Sequence, residues 1–135
     1  MSPIVRLIRS GSLSDAAEYA YAATAPPNAR LIFLAGSCPL HEDGSTAAVG
    51  DYRGQAAKYI DNMKTALGAA GASIKEVVST RVLVASTQQA DLVAAWEVVR
   101  DAFGRHDVPS TLMGVTVLGY DNQLGEVEAI AALRD

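Results

Sequence analysis

The fold is decided by residues 51–86, which read DYRGQAAKYIDNMKTALGAAGASIKEVVSTRVLVAS and predict a long helix followed directly by a buried strand. Asp51 can cap the start of the helix and Gly71 can close its end. Its apolar residues recur every three or four positions and form one stripe: Tyr52, Ala56, Tyr59, Ile60, Met63, Leu67 and Ala70. The run VVSTRVLVA, residues 77–85, predicts a strand that is apolar on both faces.

Outward from this stretch, the chain predicts a second amphipathic helix and five further strands. The second helix ends at Gly104 and carries four apolar residues on one face: Leu92, Trp96, Val99 and Phe103. The further strands are expected at residues 4–8, 18–24, 31–36, 111–118 and 124–133. The order β-β-β-α-β-α-β-β predicts a two-layer α+β sandwich, in which both helices cover the same face of the sheet.

The other face of that sheet is predicted to be a subunit interface. Residues 31–35 and 77–84 are apolar on both faces, although a sheet face in contact with water is ordinarily polar. Half of the 135 residues are apolar and only 19% are charged. A chain of this length has too little interior to hide so many apolar side chains, so we expect an oligomer.

Charge, cysteine content and hydropathy disfavour several classes of protein. The formal net charge is −4 and the eleven basic residues form no cluster, which argues against nucleic-acid binding. Cys38 is the only cysteine, so an internal disulfide is impossible and a reducing compartment is favoured. No signal peptide and no apolar run near the roughly 18 residues of a membrane span are found. We expect a cytoplasmic protein.

Two carboxylates on the last strand are the foremost candidates for chemistry. Glu126 and Glu128 are two residues apart, so both side chains point to one face, the face expected to be an interface. A carboxylate buried there is costly unless it is paired or used, and Glu128 can pair with Arg81. The alternative is that both carboxylates are solvated at the rim of the strand.

The segment VPSTLMGVTVL, residues 108–118, is a second candidate. Ser110 and Thr111 offer two hydroxyl groups, and Gly114 allows a close approach of the backbone. A nucleophilic serine needs a base beside it, and nothing but proximity in sequence links His106 to Ser110. A serine hydrolase is therefore disfavoured.

Metal and nucleotide sites find no support in the sequence. His41 and His106 lie far apart and, with a single cysteine, give no metal-ligand spacing. Glycine-rich phosphate loops are absent as well. Cys38 follows a buried strand and is expected to be a packed thiol rather than a nucleophile.

Four stretches together resemble the Rid/YjgF (RidA-like) superfamily: LIFLAGSCPL (31–40), residues 51–86, AWEVVRDAFGRHDVPSTLMGV (95–115) and GEVEAIAAL (125–133). They follow the order of the family and cover most of the chain from Leu31. The resemblance implies one Rid-like domain over residues 1–135, a chorismate-mutase-like fold with a mixed sheet, and a homotrimer with small-molecule clefts between subunits. Characterised members hydrolyse enamines and imines to a 2-keto acid and ammonia, and they require no metal or organic cofactor.

The resemblance also implies a site. Glu126 matches the acidic residue that positions a water, whereas Ser110 is the residue matched to the arginine that binds the substrate carboxylate. A serine cannot replace a bidentate cation, so hydrolysis of 2-imino acids is not expected. Five further residues would line the pocket or orient the substrate: Tyr19, Phe103, Thr111, Leu112 and Met113.

Three functions therefore stay open. The first is hydrolysis of an imine, an enamine or a related C–N substrate, with Glu126 activating water. The second is a non-catalytic trimeric module that binds a small molecule, which the loss of the arginine favours. The third is an endoribonuclease or translation inhibitor, against which the acidic chain argues.

Overall fold

The structure is a computed structural model that describes residues 3–135. A 3₁₀ turn at Ile74–Glu76 lies between the first helix and the fourth strand. The other elements are β1 (Arg6–Ile8), β2 (Ala22–Thr24), β3 (Arg30–Phe33), α1 (Tyr52–Ala69), β4 (Val77–Ala85), α2 (Gln89–Phe103), β5 (Ser110–Val115) and β6 (Gly125–Leu133). The predicted order of strands and helices is confirmed.

The main sheet has four strands in the order β3-β6-β4-β5. β6 runs antiparallel to both β3 and β4, whereas β4 and β5 are parallel and are joined by the crossover helix α2. The sheet is therefore mixed. β1 and β2 pair with each other as a separate antiparallel ribbon, so the N-terminal strands do not extend the main sheet.

Helix α1 follows the predicted pattern closely. The Asp51 carboxylate accepts a hydrogen bond from the Gly54 amide at 3.0 Å, and Gly71, with φ +85°, follows the helix in the left-handed region. The stripe buries five residues to 3% exposure or less: Ala56, Tyr59, Ile60, Met63 and Leu67. Each large apolar side chain buried in this way contributes about 1.5–3 kcal/mol.

The core lies between the two helices and one face of the sheet. β4 contributes Val82 and Val84 to it, and β6 contributes Val127, Ala129 and Ala131, all at most 3% exposed. The intervening residues of both strands point to the opposite face. The predicted assignment of the two faces of the last strand is thus confirmed, and both helices pack on the same side of the sheet.

The opposite face, which we call the outer face, carries large apolar side chains. On β3, Leu31 is 52% exposed and Phe33 is 71% exposed. Within residues 3–135 no helix packs on this face. Both helices of that part of the chain are also too short or too polar to cross a membrane.

Candidate functional site

Glu126 lies at the start of β6, on the outer face, and is half-buried. Its carboxylate rests against the backbone of Gly36. A Cβ atom at residue 36 would come within 3.0 Å of the Glu126 Cδ and still closer to Oε2. Glycine is therefore required at this position by the carboxylate that approaches it.

Gln123 holds one oxygen of this carboxylate. The side chain is only 5% exposed, and its Nε2 donates to Glu126 Oε1 at 3.2 Å and to the Gly125 carbonyl at 3.1 Å. Its own oxygen accepts from the Tyr120 amide at 3.1 Å. Because an amide N–H can only face the carbonyl end of the side chain, the NH₂ end must face Glu126.

Cys38 approaches the same carboxylate. Its Sγ lies 3.9 Å from Glu126 Oε1 and 3.6 Å from the Gly36 carbonyl. Burial, and after it the negative charge of Glu126, raise the pKa of the Cys38 thiol. A neutral thiol is a weak hydrogen-bond donor, so Cys38 adds a second donor to Glu126 and is poorly suited to act as a nucleophile.

The loop that carries Cys38 is fixed from two sides. Ser37 and Val127 exchange backbone hydrogen bonds of 2.8 and 3.2 Å, which tie the loop to β6 one residue beyond Glu126. From α1, the Asn62 amide donates to the carbonyls of Cys38 and Leu40 at 2.8 and 3.0 Å. The thiol and the carboxylate are thus positioned by paired backbone and by a helix.

The loop that carries Gln123 is fixed by α1 as well. Gln55, which is fully buried, accepts from the Leu124 amide at 2.7 Å and donates to the Asn122 carbonyl at 2.9 Å. Asn122 has φ +62°, which turns the chain sharply into Gln123. Both loops around Glu126 are therefore attached to the same rigid helix.

The two hydroxyls of β5 lie on opposite faces of the sheet. Ser110 accepts a hydrogen bond from the Thr80 hydroxyl at 2.8 Å and faces α2. Thr111 is the register partner of Arg81 on the outer face. Ser110, the residue matched to the family arginine, thus points away from Glu126. Of these two hydroxyl residues, Thr111 is the one on the face of Glu126.

The remaining predicted site residues divide in the same way. Met113 is paired with Leu83, which is itself paired with Glu126, so these three residues form one row across the outer face. Leu112 lies on the helix side and Phe103 is a core residue with 7% exposure. The Tyr19 ring packs edge-on against Trp96 of α2, with 5.8 Å between ring centres. Of the six residues predicted to bind the substrate, Thr111 and Met113 are the two that share the face of Glu126 in its own chain.

The second carboxylate is paired as the sequence predicts. Arg81 Nε lies 3.4 Å from Glu128 Oε1 on the outer face, beside Phe33 and Ile130. Both side chains are partly exposed, so the pair contributes at most about 1 kcal/mol. Arg81 lies one outward-facing position from Leu83 along β4, which makes it a cation of this chain near the Glu126 row.

The two histidines take no part in this arrangement. His41 is exposed. His106 lies on the helix side of the molecule, where its Nε2 is 2.8 Å from the Val77 carbonyl. Among residues 3–135, no three His, Cys, Asp or Glu side chains are grouped closely enough to hold a metal ion.

Similarity to known proteins agrees with the architecture. The sequence profile of the family described as Endoribonuclease L-PSP matches residues 12–133. The chain belongs to the Rid/YjgF superfamily. A RutC family protein of Pyrococcus abyssi is 33% identical over 101 residues, which are 75% of this chain and 77% of that protein.

Solved structures give the same result for the fold. The Rid family protein YyfB from Yersinia pestis superposes with a TM-score of 0.87 at 25% identity, covering 96% of this chain and 99% of that one. A YjgF/YER057c/UK114 family member from Mycobacterium tuberculosis gives a TM-score of 0.64 at 27% identity, with coverage of 96% and 99%. The α+β architecture is thus the chorismate-mutase-like fold of this superfamily.

Sequence reasoning missed Gly36 and Gln123. The glycine is the last residue of the strand predicted at 31–36 and gives the pattern of an ordinary strand end. Gln123 follows a turn and reads as a loop residue. The signal that could identify Gln123 is its position three residues before the candidate acid Glu126. At that spacing the chain can turn back, so that the side-chain amide donates to the carboxylate.

Proposed function

We propose that this protein is a Rid-type small-molecule hydrolase that cleaves an imine or enamine without a tightly held carboxylate group. Glu126 would be its catalytic residue. The observation that carries the proposal is the held carboxylate: Gly36 leaves room for it, Gln123 donates to it and Cys38 lies against it. A half-buried carboxylate positioned in this way has the character of a general base rather than of a solvated surface group.

In the proposed reaction, Glu126 removes a proton from a water whose oxygen forms a bond to the imine carbon. The π electrons of the C=N bond move to nitrogen, which takes up the proton that Glu126 removed from the water. The carboxylate then carries the hydroxyl proton of the resulting carbinolamine to the nitrogen. The C–N bond breaks with its electron pair on nitrogen, the C–O bond becomes a carbonyl, and the neutral amine leaves while Glu126 is again a carboxylate. An enamine enters the same sequence after protonation at its carbon.

Gln123 would keep the base in place during these steps. Each carboxylate oxygen has two acceptor sites, so the hydrogen bond from Gln123 to Oε1 leaves other sites for a water. The amide is buried and its orientation is set by Tyr120, so it need not reorganise as charge moves. Gln123 is thus proposed as a positioning residue.

The outer face is proposed to be covered by further copies of the chain in a trimer. Leu31 and Phe33 expose large apolar surfaces there, which a monomer in water would leave uncovered. Covering the face would exclude water from around Glu126 and strengthen its hydrogen bonds. Tyr19, which lies away from Glu126 in its own chain, could reach the cleft only from a neighbouring subunit.

The substrate is proposed to lack a carboxylate because, among residues 3–135, this face offers it no cation beyond the paired Arg81. Neither Ser110 nor Thr111 is charged, and the nearby Arg81 is engaged by Glu128 at 3.4 Å. A carboxylate placed beside Glu126 would meet a like charge. Neutral imines and enamines do not have this cost.

A non-catalytic module that binds a small molecule in the same cleft is the second candidate. The observation that favours it is the uncharged Thr111, because that position faces the Glu126 row and could have supplied a cation. Ribonuclease activity, to which the family description refers, is disfavoured since Glu126 and Glu128 put two carboxylates on this face.

The experiment that tests the proposal is amine or ammonia release from freshly generated imines, both neutral ones and 2-iminopropionate. Wild type, Glu126→Gln and the matched control Glu128→Gln are compared, since the two glutamates share one strand and one face. We expect turnover of a neutral imine by wild type and Glu128→Gln but not by Glu126→Gln. Binding without turnover in all three proteins would support the non-catalytic module, and RNA cleavage sensitive to salt would support the third function.

A further inference from the structure

A groove of about 570 Å³ runs between the C-terminal ends of α1 and α2, on the helix side of the molecule. Its volume is in the range of pockets that hold small ligands. Ile74 and Ala102 contribute apolar surface to it, and Phe103 closes it from the core. The groove shares no residue with the surroundings of Glu126.

Four basic side chains line this groove: Lys64, Lys75, Arg105 and His106. None of its lining residues is acidic, although the whole chain carries a net charge of −4. Among residues 3–135, no carboxylate lies within ion-pair distance of Lys64, Lys75 or Arg105. The cations therefore converge without counter-charges from the chain itself.

The carboxylate that follows Lys75 in the sequence is already engaged. Glu76 accepts from the amide and the hydroxyl of Ser73 at 2.8 and 3.0 Å in a capping box, which directs it to the start of the 3₁₀ turn. His106 is held in place by the contact of its Nε2 with the Val77 carbonyl. The wall of the groove is therefore built of fixed backbone and side chains rather than of mobile loop.

Basic residues at helix C-termini commonly stabilise the helix dipole, and that role alone would explain a cation after each helix. It would not explain an apolar floor of this size between them. Basic side chains at the rim of an apolar floor complement a molecule that has an anionic group at one end and an apolar body at the other. Arginine in particular can bind a carboxylate or phosphate through two parallel hydrogen bonds.

We propose that this groove binds a small amphipathic anion. Its carboxylate or phosphate group lies between Lys75 and Arg105, and its apolar body covers Ile74 and Ala102. The site is independent of the proposed hydrolase site, so a ligand here acts as an effector or cargo rather than as the substrate.

The test is a titration of ¹⁵N-labelled full-length protein with 1-naphthyl phosphate, followed by amide chemical shifts. We expect saturable shifts concentrated at residues 72–75 and 102–106. 1-Naphthol, which lacks the charge, and inorganic phosphate, which lacks the apolar body, should each bind at least about tenfold more weakly. Saturable shifts centred on Glu126, or equal binding of 1-naphthol, would overturn the proposal, as would the absence of saturation.

Variants separate this groove from the rest of the surface. Lys75→Ala and Arg105→Ala should each weaken 1-naphthyl phosphate about fivefold, which is the upper range for an exposed charge contact. Ala102→Trp should abolish binding by filling the groove. Lys58→Ala is the matched control, because Lys58 is a cation of α1 outside the groove, and Glu126→Gln should bind normally. Equal weakening by Lys58→Ala would reduce the effect to general charge and overturn the proposal.

Discussion

Replacing Gly36 by alanine should move the Glu126 carboxylate without unfolding the chain. The new Cβ would lie 3.0 Å from Glu126 Cδ and well inside that distance from its Oε2, whereas unstrained heavy atoms stay about 3.5–4.0 Å apart. The far end of the glutamate must therefore shift by more than about 1 Å. Gly36 is not in the left-handed region, so the alanine itself causes no backbone strain.

The energetic cost of this shift is small, and the catalytic cost is large. An off-rotamer glutamate and a weakened hydrogen bond to Gln123 together amount to about 1–2 kcal/mol, or a fall in Tm of roughly 3–8 °C. A misplacement near 1 Å of a catalytic group can reduce the rate about a hundredfold. We expect the Gly36→Ala variant to remain folded and to lose about two orders of magnitude in kcat.

The assay is the steady-state rate on the best neutral imine together with Tm by calorimetry. Gly119→Ala is the control, because a Cβ there meets nothing within 4 Å and lies near the same loop. Wild-type kcat in Gly36→Ala would refute the reasoning that this close approach positions the base. A collapse of Tm in that variant would show instead that the glycine serves the fold.

Three further predictions concern the surroundings of Glu126. Gln123→Leu removes the side-chain amide at similar volume, so Glu126 loses its donor and the Tyr120 backbone N–H loses its acceptor. This variant should reduce kcat about tenfold. Unchanged kcat would contradict the positioning role of Gln123. Because burial and the charge of Glu126 raise the pKa of the Cys38 thiol, its alkylation rate by iodoacetamide should still be rising at a pH where that of a free cysteine has levelled off; a plateau at the same pH as free cysteine would be inconsistent with the half-buried, neutral thiol. Phe33→Asp should dissociate the proposed trimer in sedimentation velocity, whereas Val93→Asp, at an exposed position of α2, should not. A trimer that stays intact in the first variant would exclude the outer face as its interface.

The fold could be predicted because its strongest signals are local. The apolar stripe of α1 repeats at helical spacing, and Asp51 is a recognisable cap at its start. Along β6, the alternation of side chains places Glu126 and Val127 on opposite faces of the sheet. The strands 4–8 and 18–24 were predicted less well. Their side chains alternate weakly, so nothing in the sequence indicates that they pair with each other instead of joining the main sheet.

The candidate site could be predicted only in part, because most of its parts come from distant segments. Which residues of β5 face Glu126 depends on the register of the strand, and a shift of one residue exchanges Ser110 for Thr111 on that face. Gly36 and Gln123 contact the carboxylate through loops that are fixed by Asn62 and Gln55. No local pattern records such tertiary contacts.

The central claim is that Glu126 acts on a bound substrate as a base. It is tested most directly by measuring kcat and the affinity for a neutral imine in Glu126→Gln and Glu128→Gln. We expect Glu126→Gln to bind the imine within about threefold of wild type while its kcat falls by about 10²–10⁴, as for loss of a general base, and we expect Glu128→Gln to change neither quantity. Unchanged kcat in Glu126→Gln, or an equal loss in both variants, would contradict it.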